Sequence, residues 1–247
     1  MSKGNAKTCQ NCKKEFFIEK EDFAFYAKMN VPAPTFCPDC RLKRRLVFRN
    51  ERILYKVDCG LCKESMVSVY HKDSPYTVYC NKCWWSDNWD PMKYSQDVDW
   101  NKTFFEQINE LWRKIPLPNI ISINNVNSYY NNFTKDSRDC YLNVSILKCE
   151  NLAYTYRADK SRDSLDSAFI ADCELCYEVI DTNLCNKVFF SRYAENCINS
   201  IFLLNCRNIS NSIACVNLFN KSYCILNKQY SKEEYDELMP KIISHMG

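Results

Sequence analysis

Glycine and histidine are almost missing from this sequence. Three glycines, Gly4, Gly60 and Gly247, occur in 247 residues. Loops of the P-loop or dinucleotide type need several glycines so that backbone can approach a phosphate, and neither type can be built here. Two histidines, His71 and His245, leave almost no material for a His-rich catalytic metal centre or a Ser-His-Asp triad. The zinc deaminase pattern fails as well, because Lys72 and Asp73 follow His71 where an H-x-E element is required. No uncharged run approaches the roughly 18 residues of a membrane span. The N-terminal MSKGNAKTCQNC lacks the apolar stretch of a secretory signal. These gaps point away from an enzyme, a membrane protein and an exported protein. The expectation is a cytoplasmic chain with no catalytic residues and no small-molecule cofactor.

Cysteine, by contrast, is abundant: 17 residues in a chain that is 46% hydrophobic and 26% charged. In a reducing compartment such cysteines bind metal or are buried as thiols, and a disulfide framework is not expected. The first eight form four Cys-x-x-Cys pairs: Cys9 and Cys12, Cys37 and Cys40, Cys59 and Cys62, Cys80 and Cys83. Such a turn presents two thiolates to one ion, and two turns complete the tetrahedral set that zinc prefers. Two structural Zn2+ ions follow, with all eight cysteines as ligands. Sequential pairing joins the first two pairs and the last two, while a cross-braced arrangement joins pairs one and three. The second group has the C-x2-C-x17-C-x2-C spacing of GATA-type fingers, but the acidic, aromatic WWSDNWD follows it where such a finger is basic.

The other nine, Cys140, Cys149, Cys173, Cys176, Cys185, Cys197, Cys206, Cys215 and Cys224, recur in steps of nine. A longer period near 21 links Ser164, Cys185 and Cys206, and also Thr155, Cys176 and Cys197, with the last coils shortened to about 18. Short β-prone runs such as NCINSIFLL and LCNKVFF, separated by polar residues, indicate a stacked solenoid with coils of about 20 residues. Asn tolerates the left-handed conformation and can replace the missing glycine at corners. The cysteines then point inward as small apolar residues, one ladder per face. A third metal at Cys173 and Cys176 is the competing reading.

The fold class expected is mixed, mainly β. Two four-cysteine modules of treble-clef or zinc-ribbon type occupy residues 1–57 and 58–98. An amphipathic linker helix follows at 99–118, then a short right-handed parallel β-helix at 119–230 and a capping helix at 231–247. In the first module Phe23, Phe25 and Tyr26 turn toward a small core. Pro38 starts a helix that Cys37 and Cys40 anchor, with Leu42, Leu46 and Ile53 facing inward. In the second, MVSVYHKDSPYTVY reads as a hairpin. Phe104, Phe105, Ile108, Leu111 and Trp112 share one face of the linker helix, which is expected to pack between the zinc modules and the solenoid. Ser231 and Glu234 form a capping box for the last helix, whose Tyr235, Leu238 and Ile242 plug the final coil and which Pro240 kinks or shortens.

Three blocks resemble an uncharacterised family of tandem Cys-x-x-Cys zinc-binding proteins from small-genome candidate-phylum bacteria. They are CPDCRLKRRLVFRNERILY (Cys37 to Tyr55), WWSDNWD (Trp84 to Asp90), and a tail with NKSY (Asn220 to Tyr223) and YSKEEY (Tyr230 to Tyr235). The resemblance spans nearly the whole chain and implies zinc binding, but no activity.

Charge is uneven. Residues 1–60 carry 13 Lys/Arg against 7 Asp/Glu, whereas residues 151–247 carry 10 against 12. The surplus centres on Arg41, Lys43, Arg44, Arg45, Arg49 and Arg52. Positive charge on a metal-braced helix contacts phosphates, and Phe48, Tyr55, Trp84, Trp85 and Trp89 could stack on bases. RNA or a ribonucleoprotein surface is therefore the expected partner. The alternative is a protein–protein scaffold using the solenoid face. A minor one is a carbohydrate-active enzyme using Asp159, Asp163, Asp166 and Asp172, which read more simply as solvated turns.

Overall fold

The first and third cysteine pairs sit in the same local device. Asn5–Thr8 runs antiparallel to Glu15–Ile18, and Tyr55–Asp58 runs antiparallel to Ser65–Ser68, each hairpin closed by a Cys-x-x-Cys-Lys knuckle. In both knuckles the lysine adopts a left-handed φ, 63° at Lys13 and 65° at Lys63, and its N–H returns to the carbonyl of the first cysteine. The second and fourth pairs open helices, Pro38–Leu46 and Asn81–Trp84, with Cys37 and Cys80 as the capping residues. A knuckle hairpin followed by a helix start is the treble-clef arrangement, and this chain contains it twice. In the computed structural model, which describes residues 5–246, the compact units are Met1–Asn50 and Glu51–Gly247. The strand Tyr55–Asp58 thus belongs to the second unit.

The first unit packs Phe16 and Ile18 against its cysteines, with Phe23, Tyr26, Ala33 and Phe36 around them. Phe25, expected inside, is exposed, and so are Leu42 and Leu46. Cys40 is the helix's buried residue, so its inward face is occupied by the metal knuckle and not by leucine. Ile53, in the second unit, is exposed too.

The second unit contains a parallel β-solenoid of about nine turns between residues 122 and 225. Its coil is 12 residues long, not about 20. Asn132 pairs with Val144, Val144 with Tyr156, Tyr156 with Ala168, Ala168 with Ile180 and Ile180 with Arg192. Each coil has four short sides of three residues. Every third residue from Phe133 to Leu226 has a positive φ and turns the corner, and up to Cys215 the residue after it is buried. Asparagine holds many corners, as expected. Phe133, Tyr154, Arg157 and Phe169 hold others, where a bulky side chain pays the left-handed penalty. Corner amides stack along the solenoid: Asn196 donates to Asn208 at 2.8 Å and Asn208 to Asn220 at 2.7 Å.

At many inward positions a polar side chain one coil back accepts the backbone N–H, while others, such as Thr134, donate to a carbonyl of the preceding coil. Ser137 Oγ accepts from the N–H of Cys149 one coil on, at 3.1 Å, and donates to the carbonyl of Lys135 at 2.9 Å. Ser161 and Ser164 do the same for Cys173 and Cys176. A buried donor left unmatched would cost about 1–3 kcal/mol. Small hydroxyl and thiol side chains fill these positions because they combine little volume with an acceptor. Ile146, Leu152, Val179, Val188, Leu203 and Ile209 provide the apolar remainder of the core.

The second four-cysteine module covers the start of this solenoid. MVSVYHKDSPYTVY is not a hairpin: Ser65–Ser68 pairs with Tyr55–Asp58 across the knuckle, and Val78–Tyr79 pairs in parallel with Leu117–Pro118. The linker helix runs from Phe104 to Lys114 behind a capping box of Thr103 and Glu106. On its expected apolar face Phe104 and Phe105 are exposed, Phe105 by 82%, while Ile108 and Leu111 are half-buried. The helix is tied down through Gln107, which donates to Asp99 O at 3.0 Å and accepts from Asp99 N–H at 2.9 Å. At the other end, the Ser231 and Glu234 capping box starts a helix that continues through Pro240 to His245 without being shortened. Tyr235, Leu238 and Ile242 pack with Ile201, Ile213 and Ile225, a stacked row on the flank of the last coils.

Candidate metal centres and basic helix

The eight paired cysteines meet in two groups in sequential order: Cys9, Cys12, Cys37 and Cys40, then Cys59, Cys62, Cys80 and Cys83. Within each group the sulfurs all lie within 4.8 Å of one another, so cross-bracing is excluded. Cys12 Sγ lies 3.7 Å from Cys37 Sγ, and Cys62 Sγ lies 3.9 Å from Cys80 Sγ. A zinc tetrahedron with Zn–S bonds of about 2.3 Å has edges of about 3.8 Å, which these separations match. Both groups could hold a metal ion, and four soft thiolate donors in a closed tetrahedron fit zinc. All four positions would be taken by protein, which leaves none for a reacting water.

Backbone geometry prepares the sulfurs for charge. The N–H of Cys37 donates to Cys9 Sγ at 3.3 Å, and the N–H groups of Cys80 and Leu61 donate to Cys59 Sγ at 3.2 and 3.4 Å. Burial alone would raise both thiols, but these donors outweigh it and bring Cys9 and Cys59 down to about 6. Burial and the neighbouring thiols push Cys83 up to about 12. One sulfur per site therefore ionises first and the fourth needs the cation beside it. Asn11 Nδ2 also donates to Cys40 Sγ at 3.4 Å, a contact that sequence reading missed. The repeated Cys-x-x-Cys-Lys string was the overlooked signal of duplication.

Arg41, Arg44 and Arg45 lie with Phe48 at helical spacings of three and four, on one face of the helix Pro38–Leu46 and the turn after it. They line a shallow concavity of about 430 Å³. Phe48 is 76% exposed. Arg44 stacks its guanidinium 4.6 Å over Phe36, and Arg41 donates to Tyr26 Oη at 3.4 Å. Lys43 and Arg49 are exposed beyond this face. Arg52 lies elsewhere: it belongs to the second unit and stacks 4.6 Å over Tyr156 of the solenoid. Among the expected stacking aromatics, Trp84 and Trp89 are packed around Cys59, Tyr79 and Cys83, and Tyr55 meets His71 edge-on. Trp85 and Phe48 are exposed.

Cys173 and Cys176 point into the solenoid and join no metal-type cluster among the described residues. Their thiols donate to backbone carbonyls of neighbouring coils, Cys173 to Thr182 at 3.4 Å and Cys176 to Cys185 at 3.7 Å. Asp159, Asp163, Asp166 and Asp172 stand in four different stacking columns of the 12-residue coil, and Asp163 accepts from Asn151.

No helix among the described residues is long and apolar enough to cross a membrane. Comparison of the sequence with protein-family models yields no match, and no curated protein matches it either.

Proposed function

We propose that this is a non-enzymatic, cytoplasmic protein that binds two structural zinc ions and attaches to nucleic acid, with RNA or a ribonucleoprotein surface as the partner class. The observation that carries this reading is the single helical face formed by Arg41, Arg44, Arg45 and Phe48. The exposed guanidinium groups of Arg44 and Arg45 offer bidentate donors to phosphates, Arg41 adds positive charge beside them, and an exposed phenyl ring offers a stacking platform for a base. Cys37 and Cys40 at the helix start would pin this face to the first zinc site, so the metal would organise the contact without taking part in it. The likeness to the tandem Cys-x-x-Cys family supports zinc as the metal.

The test is purification at low salt with measurement of the 260/280 nm absorbance ratio, followed by titration with mixed RNA and DNA. Binding should weaken steeply with added salt. It should be lost in the triple variant Arg44→Glu, Arg45→Glu, Arg49→Glu. No binding, or binding untouched by the triple change, ends this reading.

A protein–protein scaffold is the second reading. It is favoured by an exposed ridge on the solenoid where Tyr130, Tyr141 and Tyr154 stack edge to face at 5.7 and 5.8 Å. It predicts retention of a protein partner that salt does not release.

A further inference from the structure

The two ends of the solenoid are finished differently. At the C-terminal end Cys224–Ile225 pairs antiparallel with Lys228–Gln229, and the last helix packs on Ile213 and Ile225. At the N-terminal end the cover is partial. Val78–Tyr79 pairs with Leu117–Pro118, and the Val69 N–H donates to Asn119 O. Among the described residues the strand Ser122–Ile123 then pairs with the next coil, and Asn81 Nδ2 donates to Ser122 O on its outer edge. In later coils the corner N–H reaches the coil before, as Asp136 does to Ile123 and Asp139 to Val126. The corners of the first coil, Asn124 and Asn127, have no coil before them. Among the described residues their N–H groups meet no acceptor.

Above this edge lies a cleft of about 940 Å³, with Ser65, Met66 and Val67 on one wall and Ile120, Ser122 and Asn124 on the other. Its size is at the upper end of ordinary binding pockets. Lys56 and Lys82 line it against Glu64, which leaves a surplus of one positive charge. Asn119, also on the wall, is buried. Its Nδ2 donates to Val67 O at 2.7 Å, while its Oδ1 has no protein donor.

We infer that this cleft binds an extended acidic peptide of a partner protein, which adds a strand to the open first coil. Exposed sheet edges recruit strands because main-chain groups on both sides are satisfied together, and side pockets select alternate residues. Corner N–H groups would receive carbonyls from the incoming strand, and its acidic side chains would meet Lys56 and Lys82. At the C-terminal end the edge of Cys224–Ile225 is already taken by Lys228–Gln229. This surface lies in the second unit and does not depend on the basic helix.

The experiment measures fluorescence anisotropy of the full, zinc-loaded chain with a labelled seven-residue peptide that alternates valine with aspartate. Three further probes are the same peptide with N-methylated amides, its lysine counterpart, and a labelled oligouridylate. The acidic peptide should bind, and N-methylation should abolish binding. The lysine probe, and the protein double variant Lys56→Glu, Lys82→Glu, should each weaken binding about tenfold. Ser65→Trp, at an exposed position on the wall, should block the cleft while zinc content and circular dichroism stay unchanged. The inference is overturned if the acidic peptide does not bind, if N-methylation leaves binding intact, or if only the oligouridylate is displaced by Ser65→Trp.

Discussion

The eight cysteines before residue 84 and the nine after residue 139 are the same side chain placed in opposite environments. In the zinc-type clusters four sulfurs converge, backbone N–H groups point at them, and Cys9 and Cys59 are brought down to about 6. In the solenoid each sulfur is buried among stacked coils. Burial pushes Cys149 up to about 11, while hydrogen bonds from the Cys173 and Cys185 thiols bring Cys176 and Cys197 down. There the S–H group donates to carbonyls: Cys140 reaches Arg138 O at 3.2 Å and Cys149 O at 3.9 Å. What separates a metal ligand from a core residue is therefore the geometry of its neighbours. A turn that aims N–H groups at sulfur prepares a thiolate, and a coil that buries Cys140 and Cys149 against carbonyls raises their thiols.

The strongest way to break this contrast is Cys→Ser on each side. Cys37→Ser should remove one metal, so that elemental analysis falls from about two zinc per chain to about one. The first module should then unfold, because a structural zinc contributes on the order of 10 kcal/mol or more to such a fold. Cys185→Ser should cost less than about 1 kcal/mol in urea denaturation, because a hydroxyl can take over the acceptor role that Cys185 Sγ plays for the Cys197 N–H at 3.3 Å. Cys185→Val, which removes that acceptor, should cost about 1–3 kcal/mol.

Thiol titration sharpens the same contrast. With metal bound, a disulfide reagent should react slowly with every cysteine. After chelation the eight clustered thiols should react, and the nine in the solenoid should wait for denaturant. A smaller effect is expected at the corners. Asn208→Ala, at φ 54° and between two amide partners, should lower stability by about 1–2 kcal/mol in thermal unfolding. The least effect is expected from Arg162→Ala, whose 2.8 Å ion pair with Glu174 is solvent-exposed and contributes below about 1 kcal/mol.

Several of these features were legible in the residues. Four Cys-x-x-Cys pairs announced two four-thiolate sites, and Ser231 with Glu234 announced a helix start. The recurrence of nine was also real. It is the diagonal along which one inward thiol reaches the next face, as Cys206 does to Cys215 O at 3.3 Å. Other features were not legible. Leu42, Phe104 and Phe105 have the pattern of buried residues but lie in solvent, because Cys40 and Gln107 are what their helices bury. Periodicity shows which residues share a face but not whether anything covers it.

By itself the sequence determined the metal-ligand set and the solenoid class, since both rest on residue types at short spacing. Tertiary structure alone decided the pairing of the knuckles and the length of the coil. Inward residues recur every third position, so 9, 12, 18 and 21 all preserve the same inside and outside. Only the backbone register, in which Asn132 meets Val144 and Val144 meets Tyr156, selects 12. That choice is made by hydrogen bonds between coils, which side-chain periodicity does not record.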